Sequence, residues 1–273
     1  MTVDVIAADG SRRPGGGAFY SALQAARLGL RTLILTQGSP PEIEALLEPY
    51  RAELAVRILP APATTTLETS WPGGRRAQRL LAWAGPIAGP VEVNTQILQF
   101  APVLRETPAA WRGHAAFVGL TPQGLVRAWD RRDQSGAEIF PAPVPADPRS
   151  LEALLPRGCS AVVISEQEHA ACAPLLDAAI TLGATVAITA GPGATSVQSP
   201  GGESTRVQAP AVAEPRDDLG AGDVFAAAFF VALDEGLPPE RAAAFGNAAA
   251  AIRIEGSGSD AIGDRSAIEA RLA

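Results

Sequence analysis

Residues 217–233 read DDLGAGDVFAAAFFVAL. Two glycines flank a small residue just ahead of an acid and a long apolar run. That spacing predicts a helix over 221–235 whose first turn is opened by Gly220, Ala221 and Gly222. The unpaired amides of such a turn, reinforced by the helix dipole, form a site for an anion. Asp223 then has two readings. It is a cap on a core helix, or it is a carboxylate set beside an anion site to take a proton from an attacking hydroxyl. At a helix N-terminus it is expected to stay ionised, with modest basicity. The stretch is not a dinucleotide fingerprint, because Phe225 stands where the third glycine would be.

Outward from this helix, short apolar runs alternate with helical patterns. Strands are predicted at 31–36, 54–59, 95–100, 115–120, 160–165 and 185–190, and helices at 18–28, 41–52, 168–182, 221–235, 238–253 and 265–272. Nearly continuous, β-branched strands such as SAVVIS (160–165) predict an α/β fold with a mostly parallel sheet covered by helices on both faces. Proline-rich segments at 141–148 and 199–215 read as surface loops, the first also as a possible linker.

Composition removes several classes of function. The chain has 273 residues, 47% hydrophobic and 19% charged, with a net charge of −7. An acidic surface argues against a nucleic-acid partner. All 22 basic side chains are arginine, which excludes a Walker A loop and Schiff-base chemistry, since both need a lysine. Cys159 and Cys172 read as free thiols in a reducing compartment, and His114 and His169 are isolated from them and from each other, so a zinc site is not expected. No apolar run is long enough to span a bilayer, and the N-terminus has no signal-peptide core, so the expectation is a cytoplasmic protein without membrane partners.

A second glycine-opened helix lies near the N-terminus, in PGGGAFYSALQAARLGLRTLILT (14–36). By itself it is a glycine-rich turn leading into a packing helix. Together, GGGAFYSALQAARLG and DDLGAGDVF resemble the two signatures of the PfkB/ribokinase family of carbohydrate kinases, with Asp218 where the family usually has Thr. The resemblance implies a single three-layer α/β/α kinase domain over 1–273, ATP and Mg2+ as cofactors, and a small hydroxyl-bearing acceptor. It implies Asp223 as catalytic base and an anion hole at Gly220, Ala221 and Gly222. SEQE (165–168) resembles the family's Asn-x-x-Glu, which makes Glu168 the magnesium-side acid and puts Ser165 in place of the Asn. TAGPGA (189–194) resembles the turn beside the nucleotide and brings in Thr189, Gly191 and Gly193. Asn247 fits the helix bordering the adenine.

On the acceptor side the resemblance implies Asp4, Gly15, Gly16, Tyr20, Arg76 and Gln123, with Tyr20 standing where ribokinases have a substrate-binding Asn. GGRRAQRL (73–80), QFAPVLRE (99–106) and GLTPQGLVRAWD (119–130) resemble an uncharacterised branch of these kinases. The N-terminus departs most from the family. Either VDVIAA is the first strand of the sheet, or the chain starts just past that strand with Asp4 as the substrate-side acid; the second reading is preferred. In both, the lid near 1–14 is reduced or absent, and the expected state is a monomer or homodimer. The rival to catalysis is a degenerate relative that binds a nucleotide or metabolite without turnover.

Overall fold

The computed structural model describes residues 1–74, 76–107, 110–130 and 136–272. Arg75, inside the stretch quoted at 73–80, lies outside them. Six strands form the main sheet: β7 (Val91–Phe100), β8 (Trp111–Leu120), β12 (Ala161–Ser165), β13 (Thr185–Thr189), β14 (Ala194–Gln198) and β15 (Ser204–Gln208). The first four run parallel, and β14 and β15 continue the sheet antiparallel. A parallel pair, β3 (Thr32–Gly38) and β4 (Leu54–Pro60), is hydrogen-bonded only within itself among the described residues.

Strand β12 shows why the sheet is sandwiched. Ala161 and Val163 face one apolar cluster, and Val162 and Ile164 face another. A strand buried on both faces needs the continuous apolar run seen in its sequence. The first cluster is covered by α1 (Gly16–Arg27), α5 (Ala221–Asp234) and α6 (Pro239–Glu255), the second by α3 (Pro148–Leu154) and α4 (Glu166–Thr181). Helix α5 is apolar all round, because strands lie under it and helices α1 and α6 flank it. Helices α2 (Pro40–Leu47) and α7 (Arg265–Leu272) complete the set.

The predicted elements are present, with ends shifted by a few residues. The helix expected over 41–52 stops at Leu47 and passes into a 3-10 turn at Glu48–Tyr50, since Pro49 has no amide with which to continue an α-helix. The segment 141–148 packs against its neighbours: Val144 is buried, and its amide donates to the Ala171 carbonyl at 3.0 Å. Within 199–215, residues expected to be loop form β15, a polar strand paired with β14.

A second sheet went unread in the sequence. Its five strands run in the order β10 (Ala137–Glu138), β6 (Ala77–Ala82), β5 (Thr66–Ser70), β1 (Thr2–Ile6) and β2 (Arg12–Gly15). Residues 2–15 are a hairpin of this sheet, with β1 also parallel to β5. VDVIAA is therefore no strand of the main sheet, and the region expected to carry a reduced or absent lid contributes to a five-stranded layer. A small core of Leu67, Leu80, Val103, Leu104 and Trp129 lies beneath it. A shorter pairing joins β9 (Arg127–Ala128) to β11 (Phe140–Pro141).

The main core makes a quantitative prediction. Phe229 on α5 is fully buried and stacks on Phe225 with ring centroids 5.6 Å apart. Phe229→Ala should lower the unfolding free energy by about 3–5 kcal/mol, read as a reduced urea midpoint.

Candidate active site

Helix α5 begins with Gly220 in the left-handed region, at φ 78°. The Tyr20 ring lies directly beneath it, where any Cβ on residue 220 would run into the aromatic carbons. Only glycine satisfies both conditions. The first intrahelical bond is from the Val224 amide to the Gly220 carbonyl, at 2.9 Å. The Ala221 amide turns inward and donates to the Asp218 carbonyl at 3.1 Å. The amides of Gly222 and Asp223 have no backbone acceptor among the described residues, and the space around Gly222 is open. An anion at this helix end would therefore meet the Gly222 and Asp223 amides rather than that of Ala221.

The two glycine-opened helices meet here. A Cβ on Gly17 would lie 2.8 Å from Asp223 Oδ1 and 2.9 Å from Ala101 Cβ. The Ser21 hydroxyl donates to the Asp223 carbonyl at 3.1 Å and accepts from Gln99 Nε2 at 2.9 Å, which ties α1 and β7 to the start of α5. Asp223 keeps partial access to solvent, but protein surrounds its carboxyl, and burial pushes its pKa up to about 7. The Arg76 and Arg127 guanidiniums pull it down, while Glu168 and Asp4 push it further up. The expectation of an ordinarily ionised carboxylate is thus corrected: desolvation outweighs the attraction of the helix end and the arginines.

Asp4, on β1, is buried with its carboxyl against Gly15, and it accepts from Thr2 Oγ1 at 2.9 Å. Burial raises its pKa, against the Thr2 hydrogen bond and the charges of Arg13, Arg76 and Arg127. Gly16, at φ 76°, leads from this hairpin into α1. Arg76 is exposed just ahead of β6, and Gln123 is half-buried in a 3-10 turn at Pro122–Val126. Sequence reasoning missed Arg127, whose pKa is lowered by burial and which lies within electrostatic reach of Glu168, Arg76, Asp223 and Glu106. It stood inside a quoted motif, but no spacing rule marked it.

Ser165 and Thr189 are register partners at the C-terminal ends of β12 and β13, so SEQE and TAGPGA are brought side by side. Ser165 Oγ donates to Glu168 Oε2 at 2.6 Å, and Thr189 Oγ1 to the Ile164 carbonyl at 3.4 Å. Gly191, at φ 56°, and Gly193, whose amide donates to the Ala190 carbonyl, form the tight turn between β13 and β14. Two expected ligand contacts point elsewhere. Asn247 is buried; its Oδ1 accepts from Thr195 Oγ1 at 2.8 Å and its Nδ2 donates to the Val207 carbonyl at 3.3 Å, fastening α6 to β14 and β15. Tyr20 is buried under Gly220 rather than facing a substrate space.

The cysteines are free thiols, both pushed up to about 12, mainly by burial. Among the described residues, no group of three or more His, Cys, Asp and Glu side chains forms a metal cage, and no helix is long and apolar enough to cross a membrane. Glu168 and Ser165 offer only oxygen donors, with Glu168 within electrostatic reach of Asp223. That set suits magnesium, which keeps most of its waters and shares its remaining positions with phosphate oxygens.

The raised pKa of Asp223 has a stability consequence. The folded state binds this proton up to about pH 7, whereas an unfolded Asp releases it near the ordinary side-chain value of 3.8. Stability contributed by the protonated form is therefore complete below pH 4 and lost as pH rises towards 7. Asp223→Asn removes the penalty, so its Tm should exceed that of the parent by a few degrees at pH 8 and match it at pH 4.

No curated protein matches the chain. Among solved structures, the Arabidopsis thaliana ribokinase complexed with ribose and ATP superimposes with a TM-score of 0.72 at 18% identity, covering 99% of this chain and 96% of that one. A pyrophosphate-dependent myo-inositol-1 kinase gives a TM-score of 0.72 at 18% identity, with 98% and 96% covered. The Methanocaldococcus jannaschii nucleoside kinase, an archaeal member of the ribokinase family, gives 0.69 at 16% identity, with 96% and 87% covered. These similarities establish the ribokinase fold. The model of the pfkB family carbohydrate kinases matches residues 122–264, just over half of the sequence and including the whole Gly220–Asp223 turn. The chain belongs to the pfkB family of carbohydrate kinases.

Proposed function

We propose that the chain acts as one cytosolic kinase domain that transfers the terminal phosphoryl group of ATP to a hydroxyl of a small sugar, polyol or nucleoside, with Asp223 as general base. The observation that supports this most directly is the setting of Asp223. It is a carboxylate poised near neutrality, packed against Gly17 and one residue from the open amide of Gly222. A base whose pKa lies near the working pH combines a large deprotonated fraction with useful basicity. The catalytic load otherwise falls on positioning and on neutralising charge at the transferred group.

The acceptor would enter between the second sheet and α1, where Asp4, Gly15 and Gly16 line one side and Arg76 and Gln123 stand at the margin. Asp223 takes the hydroxyl proton as the oxygen attacks. The amides of Gly222 and Asp223 receive the charge that develops on the phosphoryl oxygens. Arg76 and Arg127, both in electrostatic reach of Asp223, compensate the same charge. Glu168, oriented by Ser165, would hold hydrated Mg2+ together with the donor phosphates. The bound metal would supply charge neutralisation of those phosphates. Thr189, Gly191 and Gly193 would border the donor.

A second reading concerns the donor. Asn247 is buried with both polar atoms hydrogen-bonded inside the protein, and three of the similar solved structures are of pyrophosphate-dependent kinases. Pyrophosphate belongs beside ATP in the donor panel.

The test is a phosphoryl-transfer assay on sugars, polyols and nucleosides with each donor. Asp223→Asn should retain donor binding and lose at least about 100-fold in kcat; near-normal turnover by this variant overturns the base assignment. No turnover by the parent on any acceptor, with donor binding intact, would instead favour a binding protein. In the active enzyme, log(kcat/KM) should rise by one unit per pH unit below about 7 and level off above it, since only the deprotonated carboxylate accepts the proton. Gly17→Ala, whose methyl group would meet the Asp223 carboxylate, should lower kcat by about tenfold or more while leaving the fold intact, read by circular dichroism.

A further inference from the structure

Beneath the turn that opens α5, near the Tyr20 ring, lies a fully buried arginine. Arg253 extends from α6 with no solvent exposure. Its Nη2 donates to Asp217 Oδ2 at 2.9 Å, and its Nη1 to the Asp217 carbonyl at 3.1 Å and the Gly256 carbonyl at 3.5 Å. The Asp217 carboxylate also accepts from the Leu219 amide at 3.0 Å, the Gly258 amide at 3.2 Å and Arg13 Nη1 at 3.3 Å. The guanidinium carbon is 5.8 Å from the centroid of the Tyr20 ring, the ring on which Gly220 rests. Asp217, Leu219 and Gly220 are thus held from below by one cation, one carboxylate and one aromatic plate.

The arrangement is costly by the ordinary rules. Taking a guanidinium fully out of water carries a penalty that an ion pair only partly offsets, and a packed apolar side chain would fill the same space without it. What an apolar side chain lacks is direction. Two guanidinium nitrogens and two backbone amides fix both the carboxylate and the carbonyl of Asp217, and with them the course of the chain into Gly220.

We infer that Arg253, acting through Asp217 and Tyr20, is a positioning residue for the anion-binding turn: it holds Gly220 in its left-handed conformation and so aims the Gly222 and Asp223 amides into the cleft. This rests on the reading of that turn as an anion site. Arg253 makes no hydrogen bond or ion pair with Asp223, so by direct contact it reaches the turn only through 217–220 and the Tyr20 ring.

The test uses the full-length chain, with inorganic pyrophosphate as the anion probe, calorimetry for affinity and thermal unfolding as the control. Arg253→Met should weaken pyrophosphate binding by about tenfold or more, and Arg253→Lys, which keeps the charge and one donor, should recover most of that loss. Asp217→Asn separates geometry from charge and guards against misfolding of the methionine variant. Removing a negative charge near an anion site strengthens binding if field alone matters, whereas loss of the brace weakens it; the expected result is weaker binding by about fivefold. Unchanged affinity in Arg253→Met with only a lower Tm, or tighter binding in Asp217→Asn, overturns the inference while leaving the kinase reading intact. Failure of the parent to bind pyrophosphate overturns the anion-site reading and this inference with it.

Discussion

The carboxylate of Asp223 rests against the bare backbone of Gly17, and this contact requires two helices to begin at the same place. Helix α1 can approach the start of α5 so closely because residue 17 has no side chain, and the Gln99–Ser21–Asp223 hydrogen bonds lock the approach to the main sheet. The arrangement of the candidate site follows from that convergence. Gly17 leaves room for the Asp223 carboxyl, and the hairpin leading into α1 brings Asp4 against Gly15. The apolar faces of α1 and α5 are buried in one cluster with strands of the main sheet, so a shift of either helix would carry a core-sized cost.

Charge in the cleft is balanced rather than cancelled. Three carboxylates, Asp4, Asp223 and Glu168, share the region with Arg76 and Arg127, none within ion-pair distance of an arginine of that pair among the described residues. Burial then decides the outcome for Asp223. An ion pair would have held its pKa low, and isolation in a dry core would have kept it protonated at any working pH. Burial of the carboxyl, opposed by the charges of Arg76 and Arg127, leaves it in between. Below the turn the opposite solution applies, with Arg253 and Asp217 in direct contact and fixed in place.

Much of the fold was legible because buried parallel strands and core helices carry their structure as local pattern. AVVIS at 161–165 and AGDVFAAAFFVALD at 221–234 cannot fold otherwise without exposing apolar surface. The second sheet was not legible for the complementary reason. Strands such as RRPG and TLETS are short, polar on one face and stabilised by partners distant in sequence, and β1 pairs in parallel with β5 across about sixty residues. The site divides in the same way. Gly220–Asp223 and SEQE stood out by motif, whereas the internal contacts of Tyr20 and Asn247 carry no signature in the sequence.

The sequence by itself determined that this is an α/β protein with a glycine-opened core helix bearing an acid in its first turn, since hydrophobic period and glycine placement act over a few residues. It also determined the absence of lysine chemistry, which needs no structure to establish. Only the tertiary structure decided what the acid is. The proton affinity of Asp223 depends on Gly17, Arg76, Arg127, Glu168 and Asp4, which come from five separate segments of the chain. Desolvation and charge act through space, and no local reading of DDLGAGDVF contains them.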